Sequence, residues 1–575
     1  MADFRKWVLV LVLFVLCAGL ASAADQCTAV PAQVPVIRDG GLAELVGDKI
    51  LTCSIAAQTT VNFQVFMSAL VTSKFPPSTI SRPALIINDD KCMLCGVVYL
   101  GVPVTGNQQS IQFQNVTMPA GTNTQVRITN IRVVAPTFSP PYVFVYEYVS
   151  ISPTGAIAIS DILPQVAISQ PSFVFSVNGC TGSGTPSLTF QQCVSQPATP
   201  GQLHFAVKFT ELFPTAFKVQ GSSAQGNPNQ APPYGTESGL TYSGTGLAQT
   251  TDVATQGTRF IVTFTNVPAG ISLFVTDREI GGSSAAVTGQ FVSGANSAGA
   301  GGLPGLSSSG TLATCNSSAA TGNSGQARLV AAYGQGNATQ YAIWEVMSNN
   351  QYALDTLVFG VQVSYASNTT ADLPAVNITP GQVNGTLAPT STDLTQSQTA
   401  PQPRFQLTPQ QGTQPFQIVR CVTNLLFPYV TNTGTYNTGM ALVNTSKDNF
   451  GTPTQTGACH LYFFGNMPIA MQTTPTVGAG TVDVRYRSLV KFTLTAPPTD
   501  SSGNSTFTQS TAGFEGYVIA RCDFQFAHGF AFIVDQTLPG FGSESYLALI
   551  IPDETSRQPW PFDFWANSSG EQLVH

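Results

Sequence analysis

The stretch Leu203-His-Phe-Ala-Val-Lys-Phe-Thr-Glu-Leu-Phe-Pro-Thr-Ala-Phe217 constrains the fold more than any other. Leu203, Phe205, Val207 and Phe209 recur at every second position, with His204 and Lys208 between them. A period of two marks a strand with one buried face. The same design stands earlier, at Val61-Asn-Phe-Gln-Val-Phe-Met-Ser-Ala-Leu-Val-Thr-Ser-Lys-Phe75, where Phe63, Val65, Leu70 and Phe75 match Phe205, Val207, Leu212 and Phe217. Gly121-Thr122 and Gly257-Thr258 stand the same distance before Thr129-Asn130 and Thr265-Asn266, and Tyr341-Ala-Ile-Trp-Glu-Val346 answers Tyr146-Glu-Tyr-Val149. Motifs repeated in one order, about 140 residues apart, predict a tandem duplication, with Glu147 and Glu345 at the same place in each copy.

Composition points the same way. Only 9% of the residues are charged, against about 25% in ordinary soluble domains. Helix formers such as Glu, Lys and Arg are scarce, while Val, Ile, Thr, Phe and Tyr are plentiful. The net charge of −7 comes with no basic stripe, which argues against nucleic acid as a partner. The 575 residues give room for three or four domains of roughly 150 residues each.

Arg5 and Lys6, the apolar run Trp7 to Leu20 and Ala21-Ser22-Ala23 read as a secretory signal peptide over residues 1–23. The run is short of the roughly 20 residues that span a bilayer, so no transmembrane segment is expected after cleavage. Residues 24–175 then read as a first β-sandwich and 176–388 as its repeat. Gln220–Gly246 and Gly281–Gly325, rich in Gly, Ser, Ala and Asn, read as long surface loops. Residues 389–415, rich in Thr, Pro and Gln, read as a linker, and 416–575 as a distinct C-terminal β-sandwich. Short strands between Gly and Pro turns predict an all-β chain of tandem immunoglobulin-like sandwiches.

Of eleven cysteines, Cys17 leaves with the signal. Cys27, Cys53, Cys92, Cys95, Cys180, Cys193, Cys315, Cys421, Cys459 and Cys522 remain, an even number that implies disulfides in an exported chain. Sequence does not fix the pairing; proximity suggests Cys27–Cys53, Cys92–Cys95, Cys180–Cys193, Cys315–Cys421 and Cys459–Cys522. Cys92-Met-Leu-Cys95 has redox spacing, but the strand-like Gly96-Val-Val-Tyr-Leu100 follows it rather than a helix, so a local clip is the better reading.

The C-terminal stretches Thr423-Asn-Leu-Leu-Phe-Pro-Tyr-Val-Thr-Asn432, Thr438-Gly-Met-Ala-Leu-Val-Asn-Thr-Ser446 and Gly513-Phe-Glu-Gly-Tyr-Val-Ile-Ala-Arg-Cys-Asp-Phe-Gln-Phe-Ala-His-Gly-Phe-Ala-Phe-Ile533 resemble a set of uncharacterised secreted β-rich proteins of Acidobacteria-type soil bacteria. Gly235-Thr-Glu-Ser-Gly239 and Asn266-Val-Pro-Ala-Gly270 are similar to their central region. The resemblance implies a bacterial exported protein and carries no activity, cofactor or site residue with it.

Catalytic motifs are missing: no Gly-x-Ser-x-Gly, no His-Glu-x-x-His and no phosphate loop occurs. His460 and His528 meet only if Cys459 pairs with Cys522, and a metal site there needs a third ligand. Asp89, Asp90, Glu147, Glu211, Glu345 and Asp523 supply acids, but none stands in a glycosidase-type motif. Tyr234, Tyr242, Trp560 and Trp565 are candidate ring platforms for a ligand. The leading expectation is a secreted protein, extracellular, surface-bound or periplasmic. It is non-catalytic, structural or adhesive, needs no cofactor, and is built for self-association or for contact with polysaccharide. A carbohydrate-binding protein and a secreted glycosidase-like hydrolase are the alternatives.

Overall fold

A computed structural model describes residues 25–75, 83–87, 97–137, 142–153, 157–161, 163–186, 188–192, 194–220, 254–284, 286–366, 382–394, 401–419, 421–445, 455–477, 489–537 and 542–551. Every regular element among them is a strand. The chain is all-β, and its strands pack as sandwiches around three separate hydrophobic cores.

The first core lies between two six-stranded sheets. One runs, in spatial order, Ala158–Asp161, Gln26–Pro31, Lys49–Ile55, Gly121–Thr129, Ala84–Ile87, Val97–Leu100. The other runs Val36–Arg38, Gln165–Gln170, Val143–Ser152, Thr59–Met67, Asn107–Met118, Val102–Val104. The alternation of Thr59–Met67 has its expected result. Val61, Phe63, Val65 and Met67 point into the core, while Asn62, Gln64 and Phe66 lie on the outer face. Each inward side chain is worth about 1.5–3 kcal/mol of burial.

The second core is aromatic. Phe205–Glu211 sits between Phe173–Gly179 and Thr356–Ser364, and faces a sheet in which Arg259–Phe264 sits between Gln340–Ser348 and Val383–Ala388. Phe209 stacks on Phe260 at 4.3 Å and Trp344 on Phe359 at 4.3 Å. The buried Trp344 indole donates to the Thr276 carbonyl at 2.8 Å, so its one polar atom is satisfied. The third core lies between a five-stranded sheet centred on Glu515–Cys522 and a four-stranded sheet centred on Tyr436–Asn444 and Ala527–Asp535.

The strand pairing departs from a strand-for-strand repeat. Val143–Ser152 is bonded to the key strand Thr59–Met67, whereas Gln340–Ser348 is bonded to Arg259–Phe264, in the sheet opposite Phe205–Glu211. Glu147 and Glu345 therefore do not occupy the same place. What does recur is local: Asn130, just after Gly121–Thr129, and Asn266, just beyond Arg259–Phe264, both lie in the left-handed region, at φ 61° and 54°, a conformation Asn tolerates better than most residues.

Two compositional readings need correction. The described part of Gly281–Gly325 is not a solvated loop. It contributes Val287, Phe291, Val292, Ala295, Ala313 and Ala320 to buried clusters and carries short strands from Gly281–Gly282 to Gly325–Gln326. The expected linker also packs over its described residues. Phe405 is buried in the central core, and the Thr390 N–H donates to the Ala298 carbonyl at 2.8 Å. The Gln410 amide bonds the backbone of Phe173 and Phe175 at 2.8 and 2.9 Å. Amide side chains replaced the missing apolar bulk as the means of docking, and composition alone does not reveal that. Gln220 aside, the loop Gln220–Gly246 lies outside the described residues.

Cys27 bonds Cys53 and Cys459 bonds Cys522, each pair directly opposed across neighbouring strands. Cys180 bonds Cys315, over a separation of 135 residues. This overturns the proximity pairings Cys180–Cys193 and Cys315–Cys421. Proximity in sequence fails here because the strand after Cys180 leads away, while Gln202 bridges to Thr314. Cys421 is also disulfide-bonded; Cys92, Cys95 and Cys193 lie outside the described residues.

Peptide mapping of the unreduced protein is expected to recover Cys180 joined to Cys315; recovery of a Cys180–Cys193 peptide would contradict the central fold. Trp344→Ala is expected to cost about 3–5 kcal/mol in urea unfolding followed by circular dichroism. Tyr352→Ala, at a side chain 82% exposed, should change stability by no more than about 0.5 kcal/mol.

Candidate ligand-binding face

A hydrolase would need acids free to act on a substrate. Glu211 is buried at the end of the key strand, and its carboxylate accepts the backbone N–H groups of Phe217 and, at 2.8 Å, Asp355. Burial pushes this carboxyl up to about 8 against those two bonds. Glu345 accepts from Arg259 Nε and the Gly257 N–H, both at 2.9 Å. The same guanidinium donates onward to the carbonyls of Gly299 and Gly302 at 3.0 and 3.2 Å. Asp277 takes the N–H groups of Arg328 and Ser307, and Glu279 takes those of Gly289 and Ser324. These carboxylates are buried and committed to holding loop backbone. Glu147 is buried in the first core, 0% exposed.

His460 and His528 are not brought together. His460 lies in Cys459–Gly465 of the five-stranded sheet, where it contacts Thr473 Oγ1 at 3.2 Å and Asp523 at 3.5 Å. His528 lies exposed in Ala527–Asp535 of the four-stranded sheet. No group of three metal-ligating side chains occurs among the described residues. Asp89, Asp90, Tyr234, Tyr242, Trp560 and Trp565 lie outside the described residues.

His204 is a structural group rather than a catalytic one. Its Nδ1 accepts the Val363 N–H at 2.9 Å and its ring stands edge-on to Phe190. Burial holds its pKa down to about 4. A depressed base takes up a proton more readily when unfolded, so its contribution to stability is complete above about pH 6.5 and is lost as pH falls toward 4.

The surface feature that the sequence reading passed over is the outer face of the second N-terminal sheet. Tyr142, Phe144, Tyr146 and Tyr148 occupy alternate positions leading into and along Val143–Ser152. Their inward neighbours Val145 and Glu147 are buried. The four rings form a continuous file, with successive centroids 5.4, 6.2 and 6.4 Å apart. Tyr146 and Tyr148 are nearly parallel, at 15°. Tyr142 and Tyr148 are 50% and 51% exposed.

Register fills in the rest of the face. Tyr148 stands opposite Phe66, and Ser150 opposite Gln64, which is opposite Gln112 in turn. Phe144 stands opposite Ile168 and Tyr146 opposite Gln165. The strands Gln165–Gln170, Val143–Ser152, Thr59–Met67 and Asn107–Met118 contain a single charged residue, Glu147, and it points inward. The outer face is therefore a sheet of rings, primary amides and hydroxyls without charge. Four aromatics at every second position were the signal in the sequence.

No protein-family model matches the chain, and no curated protein matches it. Among solved structures, similarity extends to a serine-rich repeat adhesion glycoprotein of Streptococcus agalactiae, over 67% of this chain and 96% of that one, at 8% identity and a TM-score of 0.16. It extends also to the CupB6 tip adhesin of Pseudomonas aeruginosa, over 68% and 99%, at 7% identity and 0.12. A third is alpha-2-macroglobulin of Escherichia coli, over 91% and 32%, at 9% identity and 0.11. Scores this low mark no common arrangement of strands.

Unfolding measured at pH 7 and pH 5 is expected to show a smaller acid loss for His204→Gln than for the unsubstituted protein. The difference should approach about 2 kcal/mol, set by the depressed histidine. Identical losses would show that His204 takes no part in the acid sensitivity.

Proposed function

We propose that the protein is a non-catalytic extracellular or cell-surface binding protein, whose N-terminal sandwich docks a neutral polysaccharide on the face carrying Tyr142, Phe144, Tyr146 and Tyr148. The file of exposed rings on a rigid, uncharged sheet carries this reading. Aromatic faces stack on the C–H surfaces of sugar rings, while neighbouring amides and hydroxyls supply donors and acceptors for sugar hydroxyls. A charged substrate would want charged partners, and this face presents none. Commitment of the buried acids to loop backbone supports a binding role over a hydrolytic one.

Self-association is a second reading, favoured by the edge strand Ser543–Leu547. Among the described residues it is paired on one side only, and Leu547 stands well exposed. An unpaired edge is a template for another strand.

The test is affinity electrophoresis and calorimetry of the mature chain against neutral glucans, xylans and galactomannans. Binding to at least one is expected, with roughly a tenfold loss in Tyr148→Ala and a further loss in the Tyr146→Ala, Tyr148→Ala pair. Affinity that is untouched by both substitutions would remove this face from the function. Failure to bind any neutral glycan, together with large assemblies in light scattering, would favour the strand-edge reading.

A further inference from the structure

A second chemistry is built into the first sandwich, at Lys49, Asp161 and Glu147. Lys49 opens the strand Lys49–Ile55, opposite Pro31 on one side and Ile128 on the other. Its side chain is wholly buried. Asp161 closes Ala158–Asp161, the edge strand that runs parallel to Gln26–Pro31 with Asp161 opposite Ala29. The two side chains meet across that intervening strand, Nζ to Oδ1, at 2.7 Å. The amine also points at the carbonyls of Leu163 and Glu147, at 3.0 and 3.5 Å.

Glu147 enters from the opposite sheet. It is 0% exposed, and neither of its carboxyl oxygens has a hydrogen-bond partner among the described residues; Asp161 Oδ2 has none either. Its carboxyl feels the charges of both Lys49 and Asp161, and burial pushes it up to about 8, so it carries a proton at neutral pH. A protonated, unpartnered acid thus lies close to a wholly buried amine and a half-buried carboxylate. A lone ion pair in such an interior is expensive to keep.

We propose that Lys49 and Asp161 condense to an intramolecular amide bond, with Glu147 as the proton relay. The ammonium passes a proton to the Asp161 carboxylate along their hydrogen bond, leaving a neutral amine and a carboxylic acid. The Nζ lone pair attacks Cγ. Glu147 gives its proton to the departing hydroxyl and recovers one from the nitrogen. The C–N bond forms, one C–O bond breaks and one water leaves. An ammonium and a carboxylate become a neutral amide, and nothing is oxidised or reduced. Holding the reacting atoms in contact supplies the effective concentration that free amines and acids lack, and the dry site disfavours the reverse hydrolysis. The product staples the third strand of the sheet, across Gln26–Pro31, to its outermost strand and closes 112 residues of chain.

The mature, full-length protein is reduced, denatured, digested with trypsin and analysed by tandem mass spectrometry. The expected result is a branched peptide joining the Lys49 and Asp161 segments, lighter than their sum by one water, with no cleavage after Lys49. Glu147→Gln is expected to give the two segments separately, at full mass, with Lys49 cleaved and with the circular dichroism of the unsubstituted protein. Recovery of separate, full-mass segments from the unsubstituted protein overturns the proposal, and this result needs no variant to fold. Survival of the branched peptide in Glu147→Gln overturns the relay.

Discussion

The Arg38 guanidinium, buried between the first two sandwiches, is the one side chain among the described residues through which ion pair, hydrogen bonds and ring contact at their joint converge. Arg38 is itself buried, and it pairs with the buried Glu44 at 2.7 Å. From there it crosses into the central unit, donating to Thr258 Oγ1 at 2.8 Å and to the Ala216 carbonyl at 3.3 Å. Its plane lies over the Phe405 ring, 4.9 Å from the centroid. Backbone bonds close the joint from both sides, Leu42 N–H to the Arg404 carbonyl and Gln406 N–H to the Gly40 carbonyl, each at 2.7 Å. Leaving Glu44 buried without its partner would cost about 3–5 kcal/mol. A desolvated ion pair is a poor source of net stability, but it tolerates only one relative placement of the two surfaces that share it.

The same economy runs through the central unit. A chain with 9% charged residues has few ions to spend, and many of its acids are found inside. Asp277, Glu279 and Glu345 each collect two or more donors from segments 10 to 88 residues away. One carboxyl group that accepts backbone N–H groups can fix a loop alongside the few apolar side chains that the loop buries. The Gly-, Ser- and Ala-rich segment after Arg278 is ordered in this way. Its small side chains let backbone approach backbone, and the acids supply the direction.

The period-two pattern made the strands legible. Val61–Met67 and Phe205–Phe209 bury the residues that the alternation assigns inward, because the pleat alone decides which way a strand residue faces. Pairing is another matter. The likeness of Tyr146–Val149 to Tyr341–Val346 implied one scaffold position, yet the two strands bond to different partners, since register and neighbour are set by contacts across the sandwich. The Cys180–Cys315 bond and the docking of Phe405 were hidden for the same reason. The aromatic file was legible in Tyr142-Val-Phe-Val-Tyr-Glu-Tyr148, but as a strand only. What gives it meaning is Gln64, Gln112 and Gln165 lining up beside it, and sequence order separates these by a hundred residues.

The uncharged face and the buried Glu147 beneath it share one strand. Glu147 stands between Tyr146 and Tyr148 in the chain, so the strand that presents the rings outward also carries the acid inward. Rings on a hydrogen-bonded central strand lose little freedom when a ligand settles on them, so less of the contact energy goes into ordering the site. A face without charge gains nothing from long-range attraction, so if it binds as proposed its encounters are expected to be slow and insensitive to salt. Such a surface suits a ligand that is polymeric and stationary, where repeated weak stacking along one chain replaces a single strong contact. Stiffness underneath is then the property that matters most, and Lys49, Asp161 and Glu147 lie directly behind the rings.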